Sequence, residues 1–600
     1  MKRWRDRVST TLGLVAAVFL GAMMLLTVAD VTLRAVIKMP IRGVYDLVEL
    51  FLAAMFFISL PCVFLRDENI LVNSIDDLVP RIVPLLKRIA LLLAVVILGV
   101  LAWQGFLEAR DSYEFQDVTA DLGLPRYWHW GAVLIGLSGG ALAALVMAFR
   151  RSDEPGDTEG KTPWTDAMSV PVIGLLGVVL LLVLIFLRVP IAVSLALSGV
   201  VGYAAIDGWH GALKMAGLVP YSLANAYSLS VVPLFILMGA VAARGKMATE
   251  LFQACNAVFS GMRGALANAT IGACALFGAI CGSSIATAAT FSRVSIPEMR
   301  RHGYDAAFAA GAVASAGTLD VLIPPSVLMA IYAIVAEQSL VKLYAAAFIP
   351  GFVLAALYVV TVWIVALIRP DWIPRIESMP WKVRLRASVG MWKLGVLFFF
   401  AVFGIYLGWF SPTEAAAMAA FVAIIIAFGS GAMNVRDLID CMLETVYTTA
   451  AIFFIVVGAF IFSRFIVLTE FPNQLSHWVQ AMGLSPFWVL MAVMALYILL
   501  GTFLDEVSTI LITVPVTLPL ILGIGYDGIW FGIFVTVMCT IGLISPPTGM
   551  TVFVIQAQHP DIPVMRIYLG TLPFLVADLV LVALLILMPS LVSWLPSVLY

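Results

Sequence analysis

The fold is decided by two similar stretches of sequence, Thr318-Leu-Asp-Val-Leu-Ile-Pro-Pro-Ser326 and Thr540-Ile-Gly-Leu-Ile-Ser-Pro-Pro-Thr548. Each places two adjacent prolines inside a long apolar run. A proline lacks the backbone N–H donor and clashes with the carbonyl one turn back, so both runs are predicted to be helices interrupted at the Pro-Pro pair. Carbonyls released at such a break cannot face lipid, so they must be buried or bind something.

A constant offset of 222 residues relates the two stretches, and it also aligns Ser295-Ile-Pro297 with Thr517-Leu-Pro519. The offset indicates an internal duplication. A segment rich in small or polar residues precedes each break, at 278–290 and 501–510, and predicts a re-entrant helical hairpin. Paired interrupted helices are the sequence pattern that best indicates an ion and substrate site at the membrane midplane.

The composition around these stretches is that of a membrane protein. Hydrophobic residues make up 62% of the 600 and charged residues 12%, against roughly 45–50% and 25% in soluble domains. The formal net charge of −2 gives no basic surface for nucleic acid. At about 20 apolar residues per span, we predict an all-α polytopic membrane protein with inverted repeats, about 15 transmembrane helices and two re-entrant hairpins.

Charge and polarity divide the chain. Residues 1–150 are predicted to form a four-helix membrane domain, 151–164 a cytoplasmic linker, and 165–600 a larger domain with repeats near 169–368 and 393–600. The connection 66–88 is basic and 108–127 is acidic, so the positive-inside rule places the N-terminus in the cytoplasm. The four spans of the first domain are predicted near 10–33, 44–65, 85–107 and 128–149.

In the larger domain a basic segment, 369–393, is predicted to be a cytoplasmic connector lying on the membrane surface. The predicted full spans are 169–187, 190–206, 224–243, 306–335, 343–368, 393–411, 413–430, 440–463, 486–500, 528–555 and 570–595.

Three acids lie inside apolar segments: Asp320, Asp505 and Glu506. Acids in such positions are costly and point to function, although helix caps and interface acids are the alternative. Arg464 ends an apolar run, and its guanidinium would either reach the headgroups or bind an anionic substrate through two hydrogen bonds. Asp320 and Asp505 also raise a remote alternative, an intramembrane aspartyl protease. Gly317-Thr-Leu-Asp320 lacks the G-x-G-D turn of those enzymes, and the sequence contains no P-loop, so we expect no enzyme.

The Pro-Pro stretches resemble those of tripartite ATP-independent periplasmic (TRAP) transporters. The residues that carry the resemblance are Ala316–Ser326, Ile541–Met550, Cys281-Gly-Ser-Ser284 and Val189-Pro-Ile-Ala-Val-Ser194. It covers nearly the whole chain: 1–150 resembles the small Q subunit and 165–600 the large M subunit, so the chain is similar to a Q–M fusion. The family usually has glycine where this chain has Asp320. A carboxylate there could strengthen a cation site, act as a protonation switch or face a side cavity.

The resemblance implies a multi-pass protein of the bacterial inner membrane that couples sodium entry to import of an organic acid by an elevator mechanism. A periplasmic solute-binding protein (the P subunit) would deliver the substrate, membrane lipids would surround the chain, and no organic cofactor or nucleic acid would be involved. We expect a monomeric QM unit, with a dimer left open. The alternative transporter is a sodium/carboxylate symporter that works without a binding protein.

Site residues follow from the breaks and the resemblance. The resemblance implies that Ser283, Ser284, Arg464 and Asp505 lie near the substrate. The two serines, at a half-helix N-terminus, would also favour a carboxylate. Sodium prefers oxygen ligands. The predicted ligands in the first repeat are Cys281, Gly282, Ser283, Asp320, Ile323 and Pro325. Those in the second repeat are Asp505, Thr509, Thr513, Gly542, Ser545 and Pro547.

Overall fold

A computed structural model describes residues 2–66, 83–148, 170–376, 378–483 and 485–599. In these ranges the chain is helical apart from short connections and one isolated β-bridge between Val118 and Pro125. Thirteen of the described helices are long and apolar enough to cross a membrane. The prediction of an all-α polytopic membrane protein is confirmed, whereas the count of about 15 spans stays a prediction. The predicted linker 151–164 lies outside the described residues.

The first four helices occupy the predicted positions, and the first three are longer than predicted. The third continues to Glu114, so the predicted loop 108–127 is shorter than proposed. The four helices are α1 (Lys2–Val36), α2 (Val44–Arg66), α3 (Val83–Glu114) and α4 (Tyr127–Ala148).

Four helices precede the first hairpin: α5 (Val170–Phe186), α6 (Ile191–Ala224), α7 (Val231–Arg244) and α8 (Met247–Phe259). The first repeat then contains α9 (Ala265–Cys281), α10 (Ser284–Arg301), α11 (Ala306–Gly317), α12 (Val327–Val335) and α13 (Leu340–Ile368).

The connector and the region after it contain α14 (Trp381–Ser388), α15 (Trp392–Phe398), α16 (Gly404–Tyr406), α17 (Pro412–Gly429), α18 (Val435–Leu468) and α19 (Phe471–Ala481). The second repeat contains α20 (Pro486–Phe503), α21 (Glu506–Gly523), α22 (Gly528–Ile544), α23 (Met550–Gln558) and α24 (Val564–Leu587), and α25 (Ser590–Leu599) follows.

The helices bear on three predicted boundaries. The predicted end of the span 190–206 agrees with a kink at Gly208, where non-helical φ and ψ angles of 78° and 166° separate two helical parts of α6. The predicted span 486–500 corresponds to α20, which is long and apolar enough to cross a membrane and also forms the first arm of the second hairpin, whose turn falls at Leu504 and Asp505. The connector is partly helical, since α14 leads into the apolar stretch Trp381–Tyr406.

The 222-residue offset holds for the helix boundaries as well as for the sequence. Helices α10 and α21 begin at the equivalent residues Ser284 and Glu506. The equivalent acids Asp305 and Asp527 each cap the next helix, accepting from the backbone N–H groups two and three residues ahead. A nine-residue helix follows each break. The predicted duplication therefore repeats the same order of hairpin, capped helix, break and short helix.

The chain divides into two compact units. The first contains Met1–Pro233, Met442–Leu484 and Leu511–Ile524. Within it the four N-terminal helices pack against α6 and α18. Tyr447 donates a hydrogen bond to the Ser9 carbonyl over 3.1 Å, and the Arg66 guanidinium lies 4.0 Å from the centre of the Tyr447 ring. Trp130 stacks on Tyr221 with ring centroids 4.2 Å apart.

The second unit contains Leu234–Cys441, Ser485–Ile510 and Gly525–Tyr600, and therefore both Pro-Pro breaks. Helices α11 and α24 cross in backbone contact, because a Cβ added to Gly311 would overlap the backbone of Gly570. Small residues at such crossings let helices approach within the membrane. Beside this crossing Tyr358 donates to the fully buried Asp578 over 2.8 Å.

We expect Gly570→Ala to destabilise the second unit, because the new methyl group would overlap the Ala307 carbonyl. Overpacking of this kind costs about 1–3 kcal/mol. Thermal unfolding of the purified chain in detergent measures the effect. Gly395→Ala is the matched control, since nothing lies within 4 Å of its added Cβ. Equal midpoints for the two variants would show that the crossing is not tightly packed.

Candidate functional site

The turn of the first hairpin lies between Cys281 and Ser284. Helix α9 ends at Cys281, and Gly282 adopts the left-handed conformation with φ of 63°. An added Cβ on Gly282 would lie 2.8 Å from a methyl carbon of Val327, so the turn also depends on the small residue for space. Ser283 caps α10 by accepting from the Ala286 N–H over 3.3 Å. These contacts leave Ser284 as the first residue of α10.

Ser284 joins three parts of the second unit. Its Oγ lies 2.8 Å from Asp320 Oδ1, in the 3₁₀ turn before the first break. The same Oγ lies 3.1 Å from Glu506 Oε2, at the start of α21. Ser284 and Asp320 are almost completely buried. We call Ser284, Asp320 and Glu506 the Ser284 cluster; it connects the first hairpin, the first break and the second hairpin.

The Ser284 cluster carries more acceptors than donors. A serine hydroxyl has one proton, so at any moment Ser284 donates to only one of its two carboxylate neighbours. Among the described residues, neither Asp320 nor Glu506 forms an ion pair with a basic side chain. Buried carboxylates without a cationic partner favour a bound cation or a proton. The cluster therefore has the chemistry of a small cation site.

Glu506 is the member of the Ser284 cluster that the predicted site does not include. The sequence identifies it as an acid within an apolar segment without assigning it to the site. The available signal was the offset of 222 residues, which aligns Glu506 with Ser284. The contact between these two equivalent residues brings the hairpins of the two repeats together.

Asp505 serves as a helix cap and also has an open oxygen. Its Oδ2 accepts from the N–H groups of Val507 and Ser508, each over 3.1 Å. Its Oδ1 is buried and has no hydrogen-bond partner among the described residues. Thr509 Oγ1 donates back to the Asp505 carbonyl over 2.8 Å. The helix-cap alternative and a binding role for Asp505 are thus compatible, because they use different oxygens.

Hydroxyl groups satisfy several carbonyls at the breaks. Tyr344 on α13 donates to the Ser326 carbonyl over 3.1 Å, and Tyr568 on α24 donates to the Pro547 carbonyl over 3.0 Å. Thr551 donates to the Leu543 carbonyl over 2.8 Å. Each tyrosine lies on the long helix that follows its break. Both Pro-Pro peptide bonds are cis.

The remaining predicted ion ligands differ in their surroundings. Ile323 and Pro325 are buried at the first break, whereas Pro547 is exposed at the second. Gly542 packs against the backbone of Gly501, with an added Cβ 2.7 Å from the nearest atom. Ser545 and Cys281 are buried. A carbonyl oxygen has two lone pairs, so the Tyr568 hydrogen bond to Pro547 leaves one acceptor position.

Two predicted residues lie outside the second unit. Arg464, on α18, is exposed and belongs to the first unit, as does Thr513 on α21. The predicted substrate residues Ser283, Ser284 and Asp505 belong to the second unit. The predicted set thus includes residues of both units.

Two family models match the chain. The model described as "Tripartite ATP-independent periplasmic transporter, DctM component" matches residues 178–591. The model described as "Tripartite ATP-independent periplasmic transporters, DctQ component" matches residues 23–154. The DctQ and DctM components are therefore each similar to a part of this single polypeptide.

Curated relatives agree with the family models. The chain is 35% identical to the C4-dicarboxylate TRAP transporter large permease protein DctM of Pseudomonas aeruginosa, over 67% of this chain and 94% of that protein. It is 30% identical to the isethionate TRAP transporter permease protein DctMQ of Oleidesulfovibrio alaskensis, over 61% of this chain and 57% of that protein. It is 30% identical to the ectoine TRAP transporter large permease protein TeaC of Halomonas elongata, over 69% and 96%.

A double-mutant cycle tests the packing beneath the Ser284 cluster. An added Cβ on Gly278 would meet the Cβ of Asp320, so Gly278→Ala should lower the free energy of unfolding by about 1–3 kcal/mol. Asp320→Gly removes that Cβ. The decrease in the free energy of unfolding of the double variant should therefore be smaller than the sum of the decreases in the two single variants.

Thermal unfolding of the four proteins measures this coupling. Gly99→Ala is the control for glycine replacement in a helix, since its added Cβ has no neighbour within 4 Å. Additive effects of Gly278→Ala and Asp320→Gly would show that the Asp320 side chain does not rest against Gly278.

Proposed function

The chain belongs to the tripartite ATP-independent periplasmic (TRAP) transporter family, with the DctQ and DctM components in one polypeptide, and on that premise we propose that it is a sodium-coupled importer of an organic acid. The relatives are permeases, which supports a transporter rather than an enzyme. We place the chain in the bacterial inner membrane with its N-terminus in the cytoplasm.

The observation that carries the sodium proposal is the Ser284 cluster. Two carboxylates share one serine hydroxyl at the point where the repeats meet, and the described ion pairs leave both carboxylates without a basic partner. Sodium is a hard cation that prefers carboxylate, hydroxyl and main-chain oxygens. The donor set around the cluster fits such an ion. Entry of sodium would neutralise charge that is otherwise costly inside a membrane.

The proposed ligand sets combine the cluster with the main chain at the breaks, where unwound carbonyls coordinate cations in transporters of this kind. One set consists of Cys281, Gly282, Ser283, Asp320, Ile323 and Pro325, with Glu506 added from the geometry. The other consists of Asp505, Thr509, Thr513, Gly542, Ser545 and Pro547.

We propose that the cargo is an organic anion bound beside the hairpin turns. Ser283 and Ser284 lie at the N-terminus of α10, where the helix dipole favours a carboxylate. The open Oδ1 of Asp505 would accept a hydrogen bond from a hydroxyl or amine of the cargo. Arg464 lies in the first unit and stays a predicted substrate residue. The relatives' names include C4-dicarboxylate, isethionate and ectoine.

The proposal includes a periplasmic solute-binding protein that delivers the cargo, because the family is tripartite and this chain accounts for two of its parts. It also includes an elevator-type movement by a single QM unit, since paired hairpins and interrupted helices enclose a midplane site in transporters. The second candidate is a sodium/carboxylate symporter that needs no binding protein. The fused DctQ part favours the first candidate.

Reconstitution into proteoliposomes tests the function. The cargo probe is a radiolabelled C4-dicarboxylate, presented with a periplasmic solute-binding protein that binds it. We expect uptake to require an inward sodium gradient and to stop when choline replaces sodium. Uptake that survives the replacement contradicts sodium coupling, and sodium-driven uptake without the binding protein supports the symporter instead.

Ser283→Ala and Asp505→Asn should each lower uptake at least about tenfold, because one lost charged hydrogen bond is worth roughly 1.5–3 kcal/mol. Both should also weaken the rise in melting temperature that sodium produces over choline. Glu337→Gln, at the exposed turn before α13, is the matched control and should behave as wild type. Melting in choline reports whether the variants fold. Full uptake by both variants would remove these residues from the site.

A further inference from the structure

None of the eight residues of helix α14 is buried and five of them are exposed, although the helix also contacts α8 through Arg384. The helix follows α13, an apolar span that ends at Ile368, and begins the next apolar stretch, Trp381–Tyr406. Helix α14 therefore forms the first turns of a candidate span, and aromatic and charged residues at such positions lie at the level of the lipid headgroups. Its exposed side chains therefore meet lipid and not bulk water alone.

Four of the five exposed side chains of α14 form two pairs at helical spacing. Trp381 and Leu385 are four residues apart and 66% and 52% exposed. Lys382 and Arg386 have the same spacing and are also exposed. Residues four apart share a helix face, so an apolar face and a basic face lie side by side. This arrangement is typical of helices in the membrane interface, which pair tryptophan and leucine with lysine and arginine.

Arg384 and Lys393 bind α8 instead of pointing only to solvent. Arg384 Nε and Nη2 donate to the Ala257 and Val258 carbonyls at the end of α8, over 2.8 and 2.7 Å. Lys393 Nζ lies 2.8 Å from Glu250 Oε1 on α8. Lys382 and Arg386, in contrast, make no hydrogen bond or ion pair with any residue in the described ranges. These two charges are available to an anion outside the protein.

Helix α8 also contacts α9, which is the first arm of the first hairpin. An added Cβ on Gly272 of α9 would lie 3.0 Å from the Phe259 ring and 3.7 Å from Cys255 Sγ, both on α8. Helix α9 ends at the turn that carries Ser283 and Ser284. A continuous series of contacts thus runs from α14 through α8 to the hairpin.

We propose that α14 is a binding site for anionic phospholipid, in which Lys382 and Arg386 hold the phosphate-bearing headgroup while Trp381 and Leu385 enter the acyl boundary. The segment 369–393 supports the sign of the lipid, because it carries six basic residues against two acidic ones. Through Arg384 and Lys393, a lipid bound at α14 steadies α8 and the first hairpin. The site is independent of the sodium proposal.

A lipid-proximity measurement tests the site directly. All six native cysteines are buried, so Val383→Cys, at an exposed position, accepts a fluorescent label selectively. In nanodiscs, we expect spin-labelled phosphatidylglycerol to quench this label at least about twice as strongly as spin-labelled phosphatidylcholine. Adding Lys382→Gln and Arg386→Gln should abolish the preference, since each basic residue contributes about fivefold to anionic-lipid binding.

The matched control is Lys342→Gln with Arg566→Gln, which removes two exposed charges at the starts of α13 and α24. It should keep the preference for phosphatidylglycerol. Equal quenching by the two lipids in the labelled parent would overturn the proposal, and so would a loss of preference in the control as large as that in Lys382→Gln with Arg386→Gln.

Arg384→Gln tests the connection to α8. Phosphatidylglycerol should raise the melting temperature of the wild-type chain in detergent by several degrees relative to phosphatidylcholine. Arg384→Gln should keep the quenching preference but lose most of this rise. If the variant keeps the full rise, lipid at α14 does not act through α8. Neither measurement involves transport or sodium, so failure here leaves the proposed function intact.

Discussion

The structure depends on one constraint: a backbone N–H or C=O inside a membrane needs a partner, since lipid supplies none. Continuous helices meet this demand, but the Pro-Pro pairs interrupt α11–α12 and α22–α23. Tyrosines on the following long helices, Tyr344 and Tyr568, donate to carbonyls at the two breaks. The interruptions are therefore supported rather than loose. The carbonyl lone pairs that these hydrogen bonds do not use at the breaks are the chemical basis for the proposed cation site.

Close backbone approach makes the rest of the second unit possible. Gly311 and Gly570 let α11 and α24 touch, Gly501 and Gly542 do the same for α20 and α22, and Gly278 leaves room for Asp320. Small residues matter here because helices in lipid gain little from burying apolar surface and rely on contact and hydrogen bonding. The Ser284 cluster is the polar counterpart of this packing, since a hydroxyl and two carboxylates hold the repeats together where their hairpins end.

Basic residues of the connector contact α8, the helix that packs against the first hairpin. Arg384 donates hydrogen bonds to the Ala257 and Val258 carbonyls at the end of α8. No backbone N–H of the same helix is available to these last carbonyls. Lys393 adds an ion pair to Glu250. The connector is thus attached to the helix that supports the hairpin, while Lys382 and Arg386 make no hydrogen bond or ion pair with the described residues. One basic segment combines an internal attachment with a surface suited to lipid phosphate.

The sequence alone determined the class of protein, the interrupted helices, the duplication and the four N-terminal spans, because apolar length, proline chemistry and a constant offset act locally along the chain. It also identified Asp320 and Asp505 as unusual acids. Only the tertiary structure decided that Ser284 meets both Asp320 and Glu506, that α20 also forms the first arm of the second hairpin, and that Arg384 caps α8. These contacts join residues distant in sequence, and which of several acceptable partners a buried hydroxyl or guanidinium meets depends on how the helices pack.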